Sequence, residues 1–172
     1  MNEIVIRRPD DMHFHPRSGR MLQLVLPYTS RIFPRGVVMG NLPKPVVTAD
    51  DAEVYQQEIL GVDPEFTPIM TIMLTKRTTP QIVAEAFQRS FRVLKYIPNN
   101  VSTNSEEGVA LTELRDYYPV LSMAQKLGMI FSGHWESPFD SRGNQMPEIN
   151  REDEAIQVRI FKGGQRLSWR VS

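Results

Sequence analysis

TPIMTIMLTKRTTPQIVAEAFQRSFRVLKYI, residues 67–97, holds two β-rich segments on either side of a helix signature. Residues 67–74 read as a strand. Thr79 then stands before Pro80, a side-chain cap followed by a proline that the first helical turn tolerates. Residues 91–97, FRVLKYI, return to strand character. A strand, a capped helix and a second strand in this order predict a parallel βαβ unit.

The same alternation continues outward. Upstream, GVVMG (36–40) is a brief apolar run of the buried-strand kind, and TADDAEVYQQEILG (48–61) has Thr48 as N-cap, an acidic first turn and Gly61 as stop. Earlier still, EIVIRR (3–8) reads as a strand and residues 12–15 as a second short one. Between them and residue 36, SGRMLQLVLPYTSRIF places Met21, Leu22, Val25 and Leu26 at helical spacing, with Pro27 interrupting. Downstream, residues 117–128 predict a helix ending in Gly128, and 129–134 a strand. Residues 137–155 are polar and loop-like. IQVRIFKGGQRLSWRVS then predicts a C-terminal β-hairpin turning at Gly163-Gly164. The 172 residues suit one domain: a partial βα barrel over 3–136, a loop over 137–156 and a hairpin over 157–172.

Composition narrows the partners. Twenty Lys and Arg balance twenty Asp and Glu, so no global field draws in nucleic acid or an anionic membrane. No apolar run nears the ~20 residues of a membrane span, and MNEIVIRRPDD lacks the pattern of a signal peptide. With no cysteine, a transition metal would have to use His, Asp, Glu or a modified Lys. A cytoplasmic chain is the expectation.

The three histidines are unevenly spent. His13 and His15 are one residue apart, and in a strand such a pair points to one face. Two aligned imidazoles suit a divalent metal; a pair of half-buried polar residues on an edge strand is the other reading. In a parallel α/β sheet, chemistry gathers at the C-terminal strand ends. His13 and His15, Asn41 and His134 all fall there, and Lys95 lies inside an apolar strand.

Taken together, RRPDDMHFHPRSGRMLQLVLPYTSR (7–31), VVMGNLPKPVVT (37–48), FTPIMTIMLT (66–75), LKYIPNNVSTNS (94–105), YPVLSMAQKLGM (118–129) and GHWE (133–136) resemble the class II dihydroorotases of the amidohydrolase superfamily. The resemblance runs from about residue 3 to 136 and more weakly to about 155, and VRIFKGGQRLSWRVS (158–172) resembles the far C-terminal end of the same family, with the later barrel strands missing between them. It implies a zinc hydrolase of pyrimidine biosynthesis that interconverts N-carbamoyl-L-aspartate and L-dihydroorotate. By the same resemblance, His13 and His15 would bind one zinc of a binuclear site and His134 the other, with a carbamylated Lys95 bridging them. Burial in an apolar strand favours the neutral amine that such a modification needs. Arg17 and Asn41 would grip the substrate carboxylate, and Ser102 and Thr103 would belong to a substrate loop. The family usually has threonine where Ser102 stands. Without the resemblance, Arg17 also reads as a surface charge, Asn41 as a turn residue, Lys95 as a snorkelling edge lysine, and 102–103 as polar loop.

The family fold is a full (β/α)₈ barrel of about 250 residues, and this sequence carries about five of the eight strands. The expected architecture is therefore an α/β, incomplete TIM-type barrel with a C-terminal hairpin. The family's later metal-binding histidine and its aspartate base have no counterpart in the sequence, so no catalytic residue is assigned. Glu136 is the one carboxylate near His134 and is not assigned as a substitute. The expected consequences are impaired turnover and self-association through open sheet edges; a non-catalytic binding or assembly partner is the alternative.

Overall fold

The computed structural model describes residues 4–140 and 142–152. Five strands, β1 (Asp11–Phe14), β2 (Arg35–Val38), β3 (Thr67–Leu74), β4 (Val93–Tyr96) and β5 (Ile130–Gly133), form one parallel sheet in sequential order. Four helices alternate with them: α1 (Gly19–Ser30), α2 (Ala49–Val62), α3 (Pro80–Gln88) and α4 (Tyr118–Leu127), the last preceded by a 3₁₀ turn over Leu111–Tyr117. The result is a curled half-barrel: the parallel α/β architecture that the alternation predicts, in the incomplete TIM-type form that the resemblance implies. No described helix is long and apolar enough to cross a membrane.

The βαβ unit at 67–97 forms as read. Thr79 Oγ1 accepts from the Ile82 N–H, and Pro80 opens α3. In α2, Thr48 Oγ1 accepts from the Asp51 N–H at 3.2 Å and Asp51 Oδ2 accepts from the Thr48 N–H at 3.0 Å, a reciprocal capping box. Gly61 is not the stop: it keeps helical geometry, and α2 runs one residue further before Asp63 turns extended. Gly128, at φ +72°, does end α4. Helix α1 continues through Pro27, which stands on its exposed side.

Alternation along the strands separates two faces. Phe14, Val38, Ile72, Leu74, Leu94 and Tyr96 point to the helices and build the core with Leu22, Leu26, Tyr55, Ile59, Val83 and Leu121. Residues between them, among them His13, Met73 and Lys95, take the opposite, concave face.

The N-terminal reading is corrected. Residues 4–10 belong to no strand, and Ile4, Val5 and Ile6 are 85%, 85% and 76% exposed. A single strand starts at Asp11 in place of the two expected. The physical reason is pairing: the described residues offer EIVIRR no neighbouring strand, and an unpaired segment cannot satisfy its backbone in a ladder. The predicted hairpin lies outside the described residues.

Candidate active site at the strand ends

Register carries the histidines and the lysine to the same end of the sheet. Lys95 pairs with Met73 on one side and Ser132 on the other, and His134 follows Ser132 by two, so it shares that face. Phe14, between the two N-terminal histidines, is buried against Phe66 edge-on and commits His13 and His15 to the concave side. Their Nε2 atoms stand 3.1 Å apart, ring centroids 5.0 Å apart.

The electrostatics bind the group together. Burial, with the positive charges of Lys95 and His134, lowers His13 below the ordinary histidine range. Burial, followed by His13, Arg17, Lys95 and His134, pushes His15 down to about 4. Both rings are therefore neutral near pH 7, the form that ligates metals. Lys95 is 2% exposed on a central strand, which removes the snorkelling alternative, and its amine makes no hydrogen bond or ion pair among the described residues. Burial alone drives its pKa down.

His134 is oriented from the other side. Gly133 precedes it because the Trp135 ring folds back there: a β-carbon on Gly133 would meet that indole at 2.3 Å. Trp135 packs on Tyr96 and Phe131 with centroids 5.4 and 5.9 Å away. The His134 Nε2–H donates to Glu136 Oε2 at 2.7 Å, and Arg151 Nη1 donates to Glu136 Oε1 at 3.1 Å. Burial works to raise Glu136, but hydrogen bonds from His134 and Arg151 outweigh it and hold the carboxylate ionised. Sequence spacing gave the His-x-Glu pair as a clue to this contact; nothing local signalled Arg151. A cavity of about 530 Å³ lies beside this pair, lined by Asn99, Leu111, Glu136, Phe139 and Arg151 among others.

The remaining candidates surround the strand ends. Asn41, 1% exposed, donates from Nδ2 to the Thr103 carbonyl at 2.9 Å, and Asn104 donates to the Asn41 carbonyl at 3.3 Å. Asn41 Oδ1 is buried without a hydrogen-bond partner among the described residues. Ser105 ties the loop from within, accepting from the Ser102 N–H and donating to the Ser102 carbonyl. The Ser102 side chain is half-buried and Thr103 exposed, so the loop meets Asn41 through the Thr103 backbone and the Asn104 side chain. Arg17, half-buried, sits two residues beyond His15 in the left-handed region at φ +65°.

Among the described residues, no three His, Asp or Glu gather as a metal-holding set. The donor chemistry fits a cation only when Lys95 is counted with the two facing imidazoles, and a lysine ligates well only once carbamylation gives it an anionic oxygen.

No family model matches the chain. It is 43% identical over 137 residues to a dihydroorotase of Jannaschia sp. (strain CCS1), covering 77% of this chain and 39% of that protein. To the dihydroorotase of Enterobacter sp. (strain 638) it is 45% identical over 135 residues, covering 76% and 38%. The fold is similar to the Saccharomyces cerevisiae dihydroorotase crystallised with 5-fluoroorotic acid, with TM-score 0.79, 30% identity, and coverage of 87% of this chain and 42% of that one. The Campylobacter jejuni dihydroorotase gives TM-score 0.76 at 28% identity, covering 88% and 43%. The chain thus spans about two-fifths of the length of these relatives.

Proposed function

We propose that this chain, a dihydroorotase relative matching about two-fifths of such a protein, holds part of a cyclic amidohydrolase site. His13, His15 and Lys95 would hold one zinc, and Lys95 with His134 would face the second position of a binuclear pair. Carbamylation of Lys95 joins its neutral nitrogen to the carbon of CO₂ and releases one proton, leaving an anionic oxygen ligand. Zinc bound there would polarise the amide carbonyl of the substrate as a Lewis acid. Arg17 and Asn41 would bind a substrate carboxylate, Arg17 through its planar fork of donors, with Ser102 and Thr103 in the loop above. The substrates would be N-carbamoyl-L-aspartate and L-dihydroorotate, in a cytoplasmic setting.

The observation that supports this reading is the convergence of His13, His15, Lys95 and His134 on one face at the strand ends, where the charges of Lys95 and His134 act on both N-terminal imidazoles. Turnover by this chain is a separate matter. Of the carboxylates near the histidines, Asp11 accepts from the His13 backbone N–H through Oδ1, and Glu136 is occupied by Arg151 and His134. General acid–base help is worth about 10²–10⁴-fold, and without it dihydroorotate hydrolysis should lie near background.

The same observation favours a second reading, a non-catalytic metal- and ligand-binding remnant or assembly partner. Hydrolysis assays with added zinc and bicarbonate decide between the two. A zinc-dependent rate in the ordinary enzyme range, abolished in Lys95→Ala, establishes the enzyme. Zinc and 5-fluoroorotate binding without turnover establishes the remnant. Absence of binding removes both.

A further inference from the structure

Between β1 and α1 the chain turns through Arg17 at φ +65° and Gly19 at φ +57°. Glycine adopts this region freely, but at Arg17 the β-carbon crowds the following carbonyl. Such a conformation lasts only where the surroundings over-determine it. Here the surroundings come from α2. The Tyr55 hydroxyl donates to the Arg17 carbonyl at 2.6 Å, and Glu58 Oε1 accepts from the Gly19 N–H at 2.5 Å. Tyr55 and Glu58 are three apart, so one helical face supplies both bonds.

Two details show that these bonds are not incidental to packing. Tyr55 is 3% exposed on a face otherwise made of Ala49, Ala52 and Ile59, where phenylalanine would fill the same space. Its hydroxyl, held neutral by burial and by the nearby Glu58 charge, is a donor whose described partner is the Arg17 carbonyl. Ser18, at the N-cap of α1, makes no side-chain cap. The first N–H of α1 is satisfied instead by Glu58, from another helix.

We propose that Tyr55 and Glu58 are positioning residues that lock the Arg17–Gly19 turn and thereby fix where Arg17 presents its guanidinium. The consequence for ligands rests on the carboxylate role assigned to Arg17 above. The lock itself does not.

The test therefore has two readouts. In the isotope-labelled full chain, the HN–Hα coupling and carbon shifts of Arg17 report its φ without metal or ligand. Tyr55→Phe and Glu58→Ala should each remove the left-handed signature, whereas Glu58→Gln, whose amide oxygen still accepts, should retain it. In the zinc-loaded chain, 5-fluoroorotate should bind about fivefold to tenfold more weakly to Tyr55→Phe, the scale of one lost hydrogen bond. Tyr55→Phe should add nothing to the loss in an Arg17→Ala background. Glu58 is exposed, so Glu58→Ala serves if Tyr55→Phe does not fold. An unchanged Arg17 signature in both Tyr55→Phe and Glu58→Ala overturns the proposal. A signature that responds in a chain that never binds 5-fluoroorotate upholds the lock and removes the carboxylate role of Arg17.

Discussion

His134 and Glu136, two residues apart at the end of β5, are joined by a 2.7 Å hydrogen bond, and Arg151 grips the same carboxylate at 3.1 Å. The pair links the last described strand to the polar segment that follows. That segment is further tied by the Ser137 N–H donating to the Arg151 carbonyl. Replacing Glu136 with alanine should strip Arg151 and His134 of their shared acceptor. Losing hydrogen bonds to charged groups with little exposure costs about 1.5–3 kcal/mol, so amide exchange at Ser137 should accelerate roughly tenfold or more. Hydrogen exchange read by NMR checks this, with Glu136→Gln expected to retain part of the protection.

The proposed ligation by His13 and His15 predicts the metal content. A zinc-dialysed sample should hold about one tightly bound zinc per chain, because among the described residues the second position would have only Lys95 and His134, fewer than the three protein ligands a zinc site usually has. His13→Ala/His15→Ala should weaken binding by roughly a hundredfold or more, since loss of an outer-shell partner alone costs 10–100-fold. Metal analysis and chelator competition measure both. Two tightly held zincs, or unchanged affinity in the double mutant, contradict the assignment.

Acid sensitivity of the metal-free chain follows from the same rings. His15 is depressed from 6.5 to about 4, and His13 moves in the same direction. Below pH 6.5 the unfolded chain takes up protons that the folded chain refuses, so stability falls as pH drops from about 6.5 towards 4. Urea unfolding at pH 7.0, 6.2 and 5.5 should show the start of the decline, above the range where most carboxylates titrate. His15→Gln, which cannot titrate, should flatten it.

Open edges should drive association. β5 has no further strand beside it among the described residues, and Ile130 on it is 59% exposed. Such an edge invites pairing with another chain. Sedimentation should show self-association that grows with concentration, and Ile130→Lys should reduce it. A monomer at all concentrations, in both forms, refutes the edge contact.

The strand–helix rhythm was legible because its punctuation is local. Thr48 and Thr79 cap their helices through side chains within one turn, and Gly128 ends α4 by its own left-handed backbone. Capping needs no knowledge of distant chain. Gly61 misled for the same reason: glycine permits a stop but does not force one, and α2 continued past it. EIVIRR misled because a β-rich composition forms a strand only when another segment pairs with it.

The sequence by itself determined which residues could meet: His13 with His15 by strand periodicity, and Lys95 and His134 at the ends of later strands. Tertiary structure alone decided how they meet. The Tyr55–Arg17 bond spans 38 residues, the Asn41–Thr103 bond 62, and the Arg151–Glu136 pair joins segments that no periodicity relates. Local sequence fixes conformation through contacts a few residues long. Orientation at a site depends on which distant donors and acceptors the packed helices and loops bring within hydrogen-bonding distance, and that exists only once the sheet has curled.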